Sequence, residues 1–244
     1  MGFYERQFGE RDQEKKSKAD NVPAQQKYEG IFRGNYDRLL TDNFRLILFF
    51  IPALVCLYIG LAAGFAGILL AALLLLIPAG PALAAMYDRG YQIARGLASH
   101  ERRSFFESYR MSFKQGAGAM AALLPGLLLL MLVLLTDSRK PTWVMVCIAV
   151  GGYLLTSFAM YSFSQIALVS LPLRKIFVNA IILTISFGWK GVLVAAVQML
   201  AVWMLYTFMG YAFLAFLILG PALLIAWSAW MLFPKLETLL ISDI

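Results

Sequence analysis

Long apolar blocks alternate with short charged segments along the whole chain. Leu46–Met86, Gly116–Leu135, Trp143–Leu171 and Val192–Pro234 contain no Asp, Glu, Lys, Arg or His. A helix needs about 20 apolar residues to cross roughly 30 Å of hydrocarbon. The first and last blocks are twice that length, so each predicts a hairpin of two spans, with breaks near Gly64-Phe65-Ala66-Gly67 and near Gly210-Tyr211. Together the blocks predict six transmembrane helices in one domain over residues 28–244, behind a charged, flexible cytosolic tail over residues 1–27. The fold class is all-α: a polytopic membrane protein with amphipathic cytosolic connecting helices.

Three segments between the blocks show helical periodicity. Tyr28, Phe32, Tyr36, Leu39, Leu40 and Phe44 recur at that spacing, with Arg33, Asp37, Arg38 and Asp42 between them. This predicts a helix lying in the headgroup layer before the first span. In the basic loop after span two, Phe105, Phe106, Tyr109 and Phe113 line one side of a helix that carries Arg102, Arg103 and Arg110 at its start and on its other faces. A third segment places Leu173, Ile176, Phe177, Ala180, Ile181, Thr184 and Phe187 on one face, with Arg174, Lys175 and Asn179 elsewhere. Arg102, Arg103, Phe105, Phe106, Tyr109, Arg110, Phe113, Arg174, Lys175 and Phe177 are the candidate partner-docking residues, because an apolar helical side flanked by cations suits a membrane boundary or a partner's groove.

Within the spans, proline predicts kinks, since it removes a backbone donor and crowds the preceding turn. Pro78, Gly80 and Pro81 mark span two, and Gly220-Pro221-Ala222-Leu223 in span six repeats Gly80-Pro81-Ala82-Leu83. Gly118, Ala122 and Gly126 form a stripe of small residues that predicts close helix packing.

Composition agrees with the pattern. Hydrophobic residues make up 61% and charged ones 14%, against roughly 45–50% and 25% in soluble domains. The first 45 residues are charged and lack an apolar core with a cleavage site, so no secretory signal is expected. Of the 21 Lys and Arg, all but Arg139 and Lys140 fall on one side of the predicted topology. Basic loops stay in the cytosol, which predicts cytosolic N- and C-termini in a multi-pass plasma-membrane protein. The net charge of +7 lies beside membrane spans. Anionic lipid accounts for it, so membrane lipids are an expected partner and nucleic acid is not.

No catalytic constellation is legible. Proton relays and ion-coupled sites need ionisable groups inside spans, and the predicted spans hold none. Cys56 and Cys147 read as packing residues within spans, and His100 as a surface residue without a second ligand nearby. Gln165 and Gln198 read as hydrogen-bonding glue between helices. No nucleophile–base pair, metal-ligand cluster or phosphate loop is present, so the sequence predicts a non-enzymatic protein with no catalytic, cofactor-binding or metal-binding residues and no cofactor.

Several motifs resemble a known family: Asn43 ahead of span one, Gly80-Pro81-Ala82 followed by Ala84, Ala85 and Tyr87, then Phe105, Phe106, Ser112, Phe113, Lys114 and Gln115, and later Leu171-Pro172-Leu173 and Phe177-Val178-Asn179-Ala180. Over residues 30–235 the chain resembles the YesL-like family of bacterial integral membrane proteins, whose function is unknown. Its charged tail is longer than the family pattern. The resemblance implies a neighbourhood of carbohydrate ABC importers, and so an accessory or regulatory subunit of such a membrane complex. The rival expectation is a small-solute transporter or channel with a path between kinked spans two and six.

Overall fold

A computed structural model of the chain describes residues 24–94, 102–135, 141–169, 171–186, 189–207, 220–232 and 236. The charged tail up to residue 23, His100 and the predicted Gly210-Tyr211 break lie outside the described residues.

All regular elements among the described residues are helices: α1 Ala24–Ala63, α2 Ala66–Leu74, α3 Ala79–Ala94, α4 Phe105–Leu135, α5 Thr142–Leu168, α6 Leu173–Ser186, α7 Trp189–Thr207 and α8 Gly220–Leu232. Apolar side chains without a hydrogen-bonding environment leave the backbone no option but to close its own ladder. Four helical stretches are long and apolar enough to cross a membrane: Asp37–Ala63, Gly67–Ala94, Phe105–Val133 and Thr142–Leu168. Leu173–Ser186 with Trp189–Ala201 makes a fifth if that bent pair is one broken span, and Gly220–Leu232 is a shorter apolar helix.

The first predicted break is present and has a local cause. Gly64 adopts φ +64°, and the Phe65 N–H donates to Gly60 O at 3.2 Å. This is the 6→1 bond that ends a helix when glycine can take the left-handed conformation. The segment expected as a separate interfacial helix, residues 28–44, instead continues into the first span without a break, within one 40-residue helix. Likewise Phe105–Lys114 is the first part of α4, continuous with span three.

The Pro78 region interrupts span two one turn earlier than the Gly80-Pro81 step. Leu76, Ile77, Ala79 and Gly80 donate three residues back, to Leu73, Leu74, Leu76 and Ile77, at 2.9–3.1 Å. This tightened turn spares the backbone the donors that Pro78 and Pro81 lack. Gly80-Pro81 then occupies the first turn of α3, where a missing N–H is harmless.

Helix α3 is the centre of the molecule. From Ala79 to Ile93 only Leu83 escapes full burial, and α4, α1 and α5 pack around it. Its crossing with α4 is a backbone contact: a Cβ added at Gly80 would lie 2.3 Å from Gly116 O, and one at Gly116 would lie 2.6 Å from Pro81 Cα. At Gly90, a Cβ would meet Ala229 Cβ of α8 at 3.0 Å. The stripe singled out in the sequence serves different neighbours. Gly118 faces Leu173 of α6 and Gly126 faces Leu155 of α5, while Ala122 is exposed. Large apolar side chains such as Leu48, Tyr58, Leu129, Trp143 and Ile185 point outward.

Gly116→Ala therefore destabilises the chain by about 1–3 kcal/mol, because backbone on both sides of the crossing must move. Gly151→Ala, where nothing lies within 4 Å, leaves stability unchanged or slightly raised. Thermal unfolding in detergent separates the two variants, and equal midpoints would contradict the crossing.

Candidate functional site at the basic end of the bundle

Two buried carboxylates organise the end of the bundle where α1, α3 and the start of α4 meet. Asp42 on α1 is 2% exposed and Arg89 on α3 is 6% exposed. The Arg89 Nε–H donates to Asp42 Oδ2 at 2.8 Å, and the Arg45 Nη1–H donates to Oδ1 at 2.9 Å. Asp42 thus holds a guanidinium of its own helix, one turn away, and one from a helix 47 residues distant. Arg89 also donates from Nη1 to the Arg103 backbone O at 2.7 Å, which ties the stretch before α4 to α3.

Asp88 forms the second half of the network. Its Oδ2 accepts from Gln92 Nε2 at 2.8 Å and from Ser108 Oγ at 2.6 Å, and its Oδ1 accepts from Arg103 Nη2 at 3.4 Å. Gln92 lies one turn along the same helix face, the i,i+4 geometry that lets two side chains meet. Ser108 is delivered by the start of α4, which is set by a capping interaction: Ser104 Oγ accepts from Glu107 N at 3.2 Å. Ser104-x-x-Glu107 is the sequence form of such a cap. Arg102 donates to Asn35 Oδ1 on α1. Burial, followed by the like charges of Arg89 and Arg38, pulls the Arg102 guanidinium below the usual arginine range.

Aromatic rings fill the space beneath the charges. Phe49 of α1 stacks on Tyr109 at 4.7 Å and tilts against Phe105 at 6.5 Å. Phe105 meets Phe106 edge-on at 5.7 Å, and Arg45 lies 5.4 Å from the Phe106 ring centroid. Edge-on and offset rings of this kind add to plain area burial.

The predicted docking residues divide into two groups. Phe105 is fully buried, and Arg102, Arg103, Tyr109 and Phe177 are half-buried, the last against Phe158 at 5.5 Å. Phe106, Arg110, Phe113, Arg174 and Lys175 are exposed. The two segments that carry them, remote in sequence, touch each other: Gln115 Nε2 donates to Leu171 O at 2.8 Å, and Gly118 abuts Leu173.

Sequence reasoning missed Asp42, Asp88, Arg89, Gln92 and Ser108 as a unit. Their periodicity was available, since Asp88 and Gln92 continue the helical face of Tyr87 and Tyr91. The residues predicted as loop after Met86 are helical and buried as far as Ile93. Consequently the charged ends of the membrane-length helices are internal, because each carboxylate carries its own cationic partner.

Deeper polar groups join helices. The Gln198 amide on α7 donates to Tyr87 OH at 3.3 Å and to Ser228 Oγ at 2.8 Å. Asn43 Oδ1 accepts from Ala222 N at 3.0 Å, joining α1 to α8. Gln165 donates to Tyr161 O and Ile176 O at 3.2 and 3.3 Å. Cys56 and Cys147 are free thiols. Among the described residues no three His, Cys, Asp or Glu side chains gather in a way that could hold a metal ion. The arrangement neutralises and orders charge at the end of the bundle.

Removing one partner of a buried pair leaves the other uncompensated. Asp42→Asn lowers the unfolding free energy by about 3–5 kcal/mol, whereas Asp37→Asn, at an exposed position of the same helix, changes it by less than about 0.5 kcal/mol. Unfolding of the purified variants in one detergent reads both effects, and similar losses would show that Asp42 is not buried with its pair.

No family model matches the chain, and the searches of curated proteins and of solved structures returned no significant match.

Proposed function

We propose that this chain is a non-enzymatic, six-span integral membrane protein that acts as an accessory or regulatory subunit of a larger membrane complex. One observation carries the reading: the contact of Gln115 with Leu171 and of Gly118 with Leu173 unites the starts of α4 and α6. Phe106, Arg110 and Phe113 are exposed on one of these helices, and Arg174 and Lys175 on the other. Cations beside aromatic rings on an ordered base suit recognition of a partner helix or an acidic loop. Phe105 and Tyr109 serve this face indirectly, by fixing α4 to α1 through Phe49.

Under this proposal the fifth and sixth spans are completed by α6–α7 and by the segment ending in α8, and the basic end lies in the cytosol, following the sidedness of Lys and Arg. Membership of the YesL-like family, proposed from the motifs above, makes a carbohydrate ABC importer the preferred complex. The second reading, a solute path between the kinked spans two and six, draws on the fact that α3 and α8 are neighbours. At Gly90 and Ala229 they are packed to within the room of one methyl group, which supports a joint over a path at that height.

The triple variant Arg110→Glu, Arg174→Glu, Lys175→Glu weakens co-purification of partner subunits from native membranes several-fold while leaving insertion and thermal stability intact. Quantitative mass spectrometry of a gentle-detergent pull-down measures this. Unchanged co-purification would remove the face from the proposal, and flux of solute by the purified chain alone in liposomes would favour the transporter reading.

A further inference from the structure

Helix α5 carries a concentration of buried polar atoms whose hydrogen bonds the chain does not complete. Ser157 Oγ, Ser162 Oγ, Ser164 Oγ and Gln165 Oε1 have no partner among the described residues. None of these four residues is more than 1% exposed. Elsewhere the chain satisfies helical hydroxyls locally: Ser228 donates to Leu224 O at 2.5 Å and Thr184 to Ala180 O at 2.8 Å. A buried polar atom left unmet is costly, and bound water recovers the loss where polar groups lie close enough to share it.

Two of the four share one side of the helix. Phe158, Ser162 and Gln165 stand at i, i+4 and i+7, which is a single helical face. Both ends of that row touch α6: the Phe158 ring lies 5.5 Å from the Phe177 ring, and Gln165 Nε2–H donates to Ile176 O at 3.3 Å. Ser162, between them and fully buried, faces the same seam. The buried side of α6 brings Ile176, Ala180 and Leu183 to it, three side chains with nothing to donate or accept. The half-buried Asn179 beside them bonds to neither Ser162 Oγ nor Gln165 Oε1, and the Thr184 hydroxyl is committed to its own backbone.

From this geometry we infer that a water molecule is bound in the seam between α5 and α6, bridging Ser162 Oγ and Gln165 Oε1. It accepts from the Ser162 O–H and donates to the Gln165 carbonyl oxygen. Its second proton goes to a backbone carbonyl, since each keeps a spare lone pair. The Gln165 amide then has both ends met, one by Ile176 O and one by water. The inference concerns the inside of the bundle and does not rest on the accessory-subunit reading.

The test uses the full chain purified in detergent. A crystal structure that resolves ordered water shows a peak within hydrogen-bonding distance of both Ser162 Oγ and Gln165 Oε1, and Ser162→Ala loses it. No peak between two well-ordered side chains, or the Ser162 hydroxyl bonded to Phe158 O, would overturn the site. A double-mutant cycle reads the same bridge in solution. The thermal midpoint of Ser162→Ala/Gln165→Leu departs by several degrees from the sum of the single shifts, because either substitution already releases the water. Ser164→Ala, on a different side of the helix, combines additively with Gln165→Leu. Additive shifts for the Ser162 pair, or equal coupling for the Ser164 pair, would overturn the shared water.

Discussion

Asp42 and Arg89 can share the apolar end of a helix bundle only because each carries the other's countercharge. Isolated, either ion would face a desolvation penalty of several kcal/mol, and the helices bearing them would have to part and admit water. Paired at 2.8 Å, they let α1 and α3 stay in contact beyond the end of the apolar run. The rest of the basic end follows from that contact. Arg89 fixes the Arg103 carbonyl, Arg103 and Ser108 converge on Asp88, and the cap at Ser104 starts α4 in register with α3.

Further into the bundle the constraint changes from charge to space. In hydrocarbon, helices gain little from burying apolar area against one another, so close backbone approach and interhelical hydrogen bonds take over. Gly80 against Gly116 brings α3 and α4 to backbone contact, and Gly90 against Ala229 brings α8 close. Gln198, bonded to both Tyr87 and Ser228, secures α7, α3 and α8 laterally. The Gly80-Pro81-Ala82 step opens a helix whose first turn is approached closely, at Gly80 by Gly116. Asn43 ties α1 to α8 directly, accepting from the Ala222 N–H.

Much of this was legible in the sequence, for local reasons. Uninterrupted apolar blocks declare membrane-length helices, and Gly64 declares the first hairpin because few other residues adopt its φ comfortably. The proline-rich turn before α3 was likewise visible: the turn at Leu75–Pro78 contains Pro78, one of the proline and glycine positions marked for span two, while Gly80-Pro81 lies within α3. What could not be seen is pairing between distant positions. A charged residue reads as the end of a span unless its partner is known, and the partner of Arg89 lies 47 residues away. The same blindness set Phe105 among docking residues, when Phe49 holds it inside. Of the small-residue stripe, Gly118 abuts Leu173 and Gly126 abuts Leu155, while Ala122 is exposed and the tightest approach is that of Gly80 to Gly116.

The central claim is that the basic end is sealed by a buried network, with its accessible face on α4 lying only two residues away in sequence. Cysteine accessibility tests it most directly. In a chain with Cys56 and Cys147 replaced by alanine, Ser108→Cys and Arg110→Cys are compared for labelling by a membrane-impermeant maleimide applied to the basic side. Ser108 is 1% exposed and Arg110 is exposed, so the account predicts rapid labelling at 110 and protection at 108. Equal labelling at both positions would mean that Asp88 and Arg89 face water, and the buried network would have to be abandoned.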